Sequence, residues 1–536
     1  MQQPDSERVA SFAQSNLSPS ESETTYFQLA LKTSEIRHAE LNEEIARKQE
    51  ELKRDIEERS RLKESLVEYR AIVNPVKRLP DNVLQCIFHE FCDTDIFQAC
   101  STWNTTSQFP RSLSVNAGPW VLARVCHRWK QIAEAFSAIW STVCVDNDMP
   151  RKALYLLGLQ IQRSAQHPLN VVCRIEPKAF SFGSGDVLFP LLLSTSFRWQ
   201  GLVLRVPFST LHETMLPVRG AVSNLSRVAL QLCPEKPPVA FNSPVFGKKS
   251  AVVETAPLVA PVTFLEFAPK LTLLEVAGLY EGQECLVLPW DQLKDLTLLN
   301  SSTRSPCYLS ILARASSLKE LQLEELRHDQ TSPREVSIPQ PDLKQLHLYN
   351  NAYGVVDQVL DKISAPSLSR IYIQQVALWK LPSLTSFLRK SSCTLTHLFL
   401  RLPEAAKEAE TLALLESLTS LEDLTIASSS DAQALQQLIS GLTCDDPEVP
   451  RNVPNLASLT IHKPNSWTPT ALVDMIASRC LVGEKESKQD SQPRMLEIVK
   501  VGDIFQSTDS KLLEKLQQCK DSGLVFTDSY FYHHTH

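Results

Sequence analysis

Apolar and polar residues follow three successive regimes along the 536 residues of this chain. In the first, Ser34 to Arg70, charges of both signs interleave with Ile36, Leu41, Ile45, Leu52, Ile56, Leu62 and Leu66. The four-residue pairs 41/45, 52/56 and 62/66 are helical neighbours, so the pattern predicts one long charged helix over 34–73, ended before Pro75. The step from Ile45 to Leu52 is a full heptad, whereas the step from Ile56 to Leu62 breaks it. A dimeric coiled coil and a solvated single helix both stay open. Residues 1–33, mostly Ser, Gln, Thr and Glu with no sustained apolar period, have the composition of a disordered segment.

The second regime, 74–143, holds two short amphipathic stretches. After Leu79-Pro80, Asp81 is placed to cap a helix in which Val83, Leu84, Ile87, Phe88 and Phe91 recur at helical spacing. From Pro119, a residue suited to a helix start, Leu122, Val125, Cys126, Trp129, Ile132, Ala133 and Phe136 repeat that period and lead to Ile139-Trp140. Residues 93–118 between them, rich in Ser, Thr and Asn, read as a loop insertion. A unit this small leaves much of its surface in water. Its apolar faces therefore either pack on their own chain or need a partner. Cys126 falls on the apolar stripe and is expected to be packed, although an exposed thiol beside Arg128 would be acidified.

The third regime, 144–536, is a repeat. Its unit, Leu-x-x-Leu-x-Leu or a close variant, begins at Leu225, Leu271, Leu293, Leu318, Leu343, Leu368, Leu395, Leu421 and Leu456, with weaker copies at Trp199 and Leu496. From Leu293 to Leu421 the first leucines are 25, 25, 25, 27 and 26 residues apart. Each motif predicts a short strand, and the apolar runs between motifs predict helices, as at Val355, Val356, Val359, Leu360 and Ile363. Ser510–Cys519 and Leu524-Val-Phe526 are candidates for a closing cap. Pro234 to Pro261 and Gly483 to Pro493 read as surface loops.

Because strand faces alternate, the leucines point to one side and the residues between them to the other. The central repeats then place Gln345, His347 and Tyr349 beside Arg370, Tyr372 and Gln374, and these beside His397, Phe399 and Arg401. Tyr and Arg are frequent at binding hot spots, which makes His347, Tyr349, Arg370, Tyr372, His397, Phe399 and Arg401 the candidate substrate-binding set. The same side chains could instead stack on one another across the ladder. Glu320 and Glu324 add an acidic neighbour.

Composition narrows the function classes. A net charge of -7 and the lack of a dense Lys/Arg tract argue against nucleic acid as a partner. The most apolar run, Val187 to Phe197, is too short to span a bilayer and contains Pro190, so no membrane partner is expected. Thirteen cysteines without a Cys-x-x-Cys pair suit a reducing cytoplasmic or nuclear setting. Motifs for nucleotide, hydrolase or zinc chemistry are missing, and no enzyme activity, cofactor or metal is expected. His533, His534 and His536 read as a frayed terminus.

The order Leu79-Pro80, Ile87-Phe88, Val125-Cys126-His127-Arg128-Trp129, Ile139-Trp140 resembles an F-box with a fungal-type insertion, and the repeat resembles a degenerate leucine-rich repeat solenoid. The resemblance implies a mainly α/β chain: an N-terminal helix, a small all-α F-box, then a horseshoe with parallel strands on its concave face and helices outside. It also implies docking on the Skp adaptor, and through it on cullin, by Leu79, Pro80, Val83, Leu84, Ile87, Phe88, Leu122, Val125, Trp129, Ile132 and Trp140. The expected function is that of a substrate-recognition subunit of a Skp-cullin-F-box ubiquitin ligase whose solenoid binds a target protein. The alternative is a non-catalytic repeat scaffold outside any ligase. Self-association through 34–73 is a further expectation.

Overall fold

The computed structural model describes residues 6–92, 112–146, 149, 152–174, 185–233, 261–278, 286–299, 308–327, 337–375, 379–403, 407–427, 432–444, 452–462, 469–480, 495–501 and 510–527. Most of the loop insertion, the two loops expected at 234–261 and 483–493 but for Pro261, and the terminal histidines lie outside these residues. The chain divides into two units, 1–84 and 85–536.

In the first unit a helix over Ser6–Gln14 (α1) precedes one of 53 residues, Glu21–Val73 (α2). Helix α2 thus begins at Glu21 rather than Ser34, and part of the segment expected to be disordered is helical. The cause is a local cap that apolar periodicity does not register. The Ser20 backbone N–H and hydroxyl donate to the Glu23 carboxylate at 2.9 and 2.7 Å. Phe12 of α1 meets Phe27 of α2 edge to face at 6.0 Å. No residue of α2 is buried, and its surface carries ion pairs such as Lys48–Glu44 at 2.8 Å, worth a few tenths of a kcal/mol each. A helix over Asp81–Cys92 (α3) follows, with the division between the units falling inside it. Asp81 is its first residue rather than its cap; the Pro80 carbonyl accepts the Val83 and Leu84 N–H groups.

In the second unit the stretch expected as one continuous helix from Pro119 is two, Pro119–Leu122 and His127–Ala135. Cys126 is extended between them, and its sulfur accepts the Trp129 N–H at 3.5 Å as a cap. The break turns Cys126 out to solvent, so it is not packed. The end of the insertion is anchored to its neighbours: the Ser112 carbonyl accepts Trp120 Nε1–H at 2.9 Å, and its hydroxyl accepts the Cys144 N–H at 2.7 Å.

Fourteen strands of the described residues form one parallel sheet in chain order. They are β1 (Thr142–Asp146), β2 (Leu169–Arg174), β3 (Trp199–Pro207), β4 (Arg227–Cys233), β5 (Leu273–Ala277), β6 (Asp295–Leu299) and β7 (Glu320–Glu324), then β9 (Gln345–Tyr349), β11 (Arg370–Gln374), β12 (His397–Arg401), β13 (Asp423–Ala427), β14 (Ser458–Ile461), β15 (Ile498–Val501) and β16 (Val525–Thr527). The two-residue strands β8 (Ile338–Pro339) and β10 (Ile363–Ser364) pair separately, so Ile363 starts a strand instead of ending a helix. Helices lie between strands, giving a solenoid-like α/β unit. The expected closing segment at Leu524–Phe526 adds β16 to the sheet.

Packing follows the repeat. The first leucine of every full motif from Leu225 to Leu456 is buried, as are the second and third positions, and they share one core with Val355, Val356, Val359 and Leu360 of the helix Val355–Lys362. Strands β1 and β2 were not anticipated. Trp140-x-x-Val143-x-Val145 is the same motif with Trp in place of the first leucine, as at Trp199. Among the described residues no helix is long and apolar enough to cross a membrane.

Buried polar side chains close the turns between repeats. Asn351 Nδ2 donates to the Leu323 carbonyl at 2.9 Å, and its Oδ1 accepts the Leu326 N–H at 2.9 Å. The Asn351 N–H in turn donates to Gln375 Oε1 at 2.8 Å. Arg479 does the same further on, donating to the carbonyls of Leu442, Asn452 and Val453. Asn351→Leu leaves the Leu326 N–H without its acceptor and is expected to cost about 1 to 3 kcal/mol, read as a lower urea midpoint with unchanged slope.

Candidate protein-docking surfaces

Helix α3 is apolar on two sides. Leu84 and Phe88 are fully buried, and Phe88 packs on Trp129 at 4.9 Å between ring centroids. Val83, Ile87 and Phe91, spaced by four residues on another side, are 37%, 45% and 57% exposed. Leu79 is half-buried and Pro80 exposed just before them; Val125 is 55% exposed. The eleven residues expected to dock an adaptor therefore separate. Leu84, Phe88, Leu122, Ile132 and Trp140 are interior, Trp129 and Leu79 are half-buried, and Pro80, Val83, Ile87 and Val125 face solvent.

Trp140 is held by its own chain. Its indole N–H donates to the Ala133 carbonyl at 2.7 Å, its ring meets Trp120 edge to face at 4.9 Å, and the Arg163 guanidinium lies over it at 4.6 Å. Arg163 also pairs with Glu134 at 2.5 Å. These neighbours bury Trp140 completely. Leu84, Phe88, Leu122 and Ile132 are buried as well.

The second surface is the sheet face opposite the leucines. Parallel pairing in register sets Tyr372 between His347 and Phe399, and Arg370 between Gln345 and His397. The His347 and Tyr372 rings stack at 4.4 Å and 7°; Tyr372 and Phe399 follow at 6.2 Å, and Phe399 and His462 at 6.2 Å. His347 Nδ1 and the Tyr349 hydroxyl lie 2.9 Å apart. The expected residues are thus brought together, and they also stack on one another, as the alternative reading required. Each remains partly open to solvent, with Arg370 the most exposed of them. The register extends the face to Glu275, Asp295, Thr297 and Gln322, which the motif reading left unnamed: Thr297 pairs with Gln322 and Glu275, and Asp295 with the Glu320 already noted.

Charge on this face is uneven. Burial, then repulsion from Glu324, pushes the Glu275 carboxyl up to about 7. Burial raises Asp295 too, offset in part by Lys319, and burial with Asp295 raises Glu320. Burial lowers His347 to about 4 and so keeps its ring neutral at physiological pH. Glu320 Oε1 is 3.5 Å from His347 Nε2, outside hydrogen-bonding geometry, and among the described residues Nε2 has no hydrogen-bond partner.

Comparison with protein-family models and with curated proteins returned no match. Among the described residues no group of three or more His, Cys, Asp or Glu side chains could hold a metal ion. A cleft of about 160 Å³ is lined by His89, Cys92 and His167 among others, and burial keeps the Cys92 thiol protonated by raising it to about 12.

The Glu275 shift fixes a sign. A carboxyl raised in the folded state stabilises fully below its unfolded value of 4.5, and that contribution is lost as pH rises through about 7. Glu275→Gln is therefore expected to leave the melting temperature unchanged near pH 4.5 and to raise it at pH 8, measured by calorimetry at both values.

Proposed function

We propose that this chain is a substrate-recognition subunit of a Skp-cullin-F-box ubiquitin ligase. In this reading the helices of 74–143 are an F-box, and the sheet is a leucine-rich repeat horseshoe whose concave face holds the target. The observation that carries the proposal is the exposed stripe Val83, Ile87 and Phe91, following Leu79-Pro80 on a helix whose adjacent stripe, Leu84 and Phe88, is already buried. A helix whose apolar face is wider than the part its own chain covers has a surface left over for a partner. Three such side chains buried on docking contribute roughly 1.5 to 3 kcal/mol each, enough for a specific contact. The mechanism is proximity: holding target and ubiquitin-charged enzyme in one complex raises their effective concentration without a catalytic side chain here.

The burial of Leu84, Phe88, Leu122, Ile132 and Trp140 favours a second reading, a scaffold in which these helices serve only to close the first strand of the sheet. Binding to a purified Skp-type adaptor separates the two. Ile87→Asp with Phe91→Ser is expected to weaken adaptor binding at least tenfold while the melting temperature holds, and Leu79→Ala with Pro80→Ala to weaken it as well. Unchanged binding, or none by the parent chain, favours the scaffold. For the sheet face, Tyr372→Ala and Phe399→Ala are each expected to cost about 2 kcal/mol of target affinity, read by copurification at matched expression. Self-association is proposed for the exposed stripe of α2, and sedimentation of the full chain before and after Ile45→Lys with Leu52→Lys tests it.

A further inference from the structure

On the sheet face, unmatched charges of opposite sign lie beside the aromatic stack. Asp295 of β6 and Glu320 of β7 stand toward one end of a row, with Glu275 of β5 near them, and Arg370 of β11 stands at the other end; Arg401 of β12 lies on the far side of Tyr372 and Phe399 from Arg370. Among the described residues Glu275, Arg370 and Arg401 form no ion pair, and Glu320 reaches only the neutral His347 ring. Lys319 tempers Asp295 alone. Burial, then repulsion from a neighbouring carboxylate, holds Glu275 and Glu320 above the usual range. A cation delivered from outside would relieve that repulsion, and an anion would meet the Arg370 guanidinium.

Register gives the distance between the two poles. Asp295, Glu320, Gln345 and Arg370 lie in one row across β6, β7, β9 and β11. Asp295 and Arg370 are thus three strand steps apart, about 14 Å at the usual spacing of paired strands. An extended chain covers that length in roughly four residues.

We propose that this face docks an extended peptide segment of a partner protein carrying a Lys or Arg and, roughly four residues away, an Asp or Glu, with the intervening residues lying over Gln345 and beside the stacked rings of His347 and Tyr372. The cationic residue sits over β5 to β7, where the neutral rings of His347 and Tyr349 also favour it, and the anionic residue sits at Arg370. This specifies the partner chemistry of the target-binding face proposed above and rests on that reading.

Display of random twelve-residue peptides against the immobilised full-length chain tests it, with enriched peptides resynthesised and titrated by fluorescence polarisation. Enriched sequences are expected to pair a cation with an anion at that spacing. Their binding should weaken at least fivefold in Glu320→Gln and in Arg370→Gln, and should be lost when the two charges of the peptide are exchanged for their opposites. Circular dichroism of both variants should match the parent. Enrichment of uncharged or single-sign peptides, indifference to both variants, or no enrichment overturns the proposal. Peptides without the charge pair that still depend on Tyr372 and Phe399 would overturn the chemistry and keep the docking face. Peptides indifferent to Tyr372→Ala and Phe399→Ala would remove the docking face itself.

Discussion

In-register pairing of parallel strands is the interaction from which the remainder of residues 85–536 follows. Once Leu346, Ile371 and Leu398 stand side by side in the core, strand alternation leaves His347, Tyr372 and Phe399 no position except a second row on the opposite face. Hydrophobic burial of the leucines thereby assembles the aromatic stack and the charged rows without any contact having to select them. A shift of one residue in a single strand would bury its charged positions and expose its leucines. The register is accordingly stiff where Asn351, Gln375 and Arg479 tie the turns.

The helices before the sheet obey a different economy. Trp140 ends the helical segment and, three residues on, Val143 begins the buried row of β1, so one side chain serves both regions. Arg163 over its ring and the buried Phe88 against Trp129 hold this end together. With those side chains committed inward, the surface left on α3 reduces to Val83, Ile87 and Phe91.

What could be read from sequence tracks how strongly each feature depends on periodicity. Within the long sheet the strands from β3 to β15 were legible because every one repeats the same spacing of apolar residues, whereas the two-residue strands β8 and β10 carry no such motif. Strands β1 and β2 were not, since Trp140 and the Pro168-Leu169 start depart from the leucine pattern. The beginning of α2 lay in a polar stretch where Ser20 and Glu23 decide the cap, and the break at Cys126 depends on one sulfur accepting one N–H. Periodicity also could not sort Phe88 from Ile87: both are apolar and adjacent, and only their neighbours in space decide which is interior. On the sheet face the aromatic residues were legible, whereas Glu275 and Asp295 required the strand register to join them.

The central claim is that two separate surfaces serve two partners, α3 an adaptor and the sheet face a target. Hydrogen–deuterium exchange of the full chain with and without a purified Skp-type adaptor tests it most directly. The account predicts slowed exchange within 79–92, with 345–349, 370–374 and 397–401 unchanged. Protection of those strands, or none in α3 despite complex formation, would contradict it.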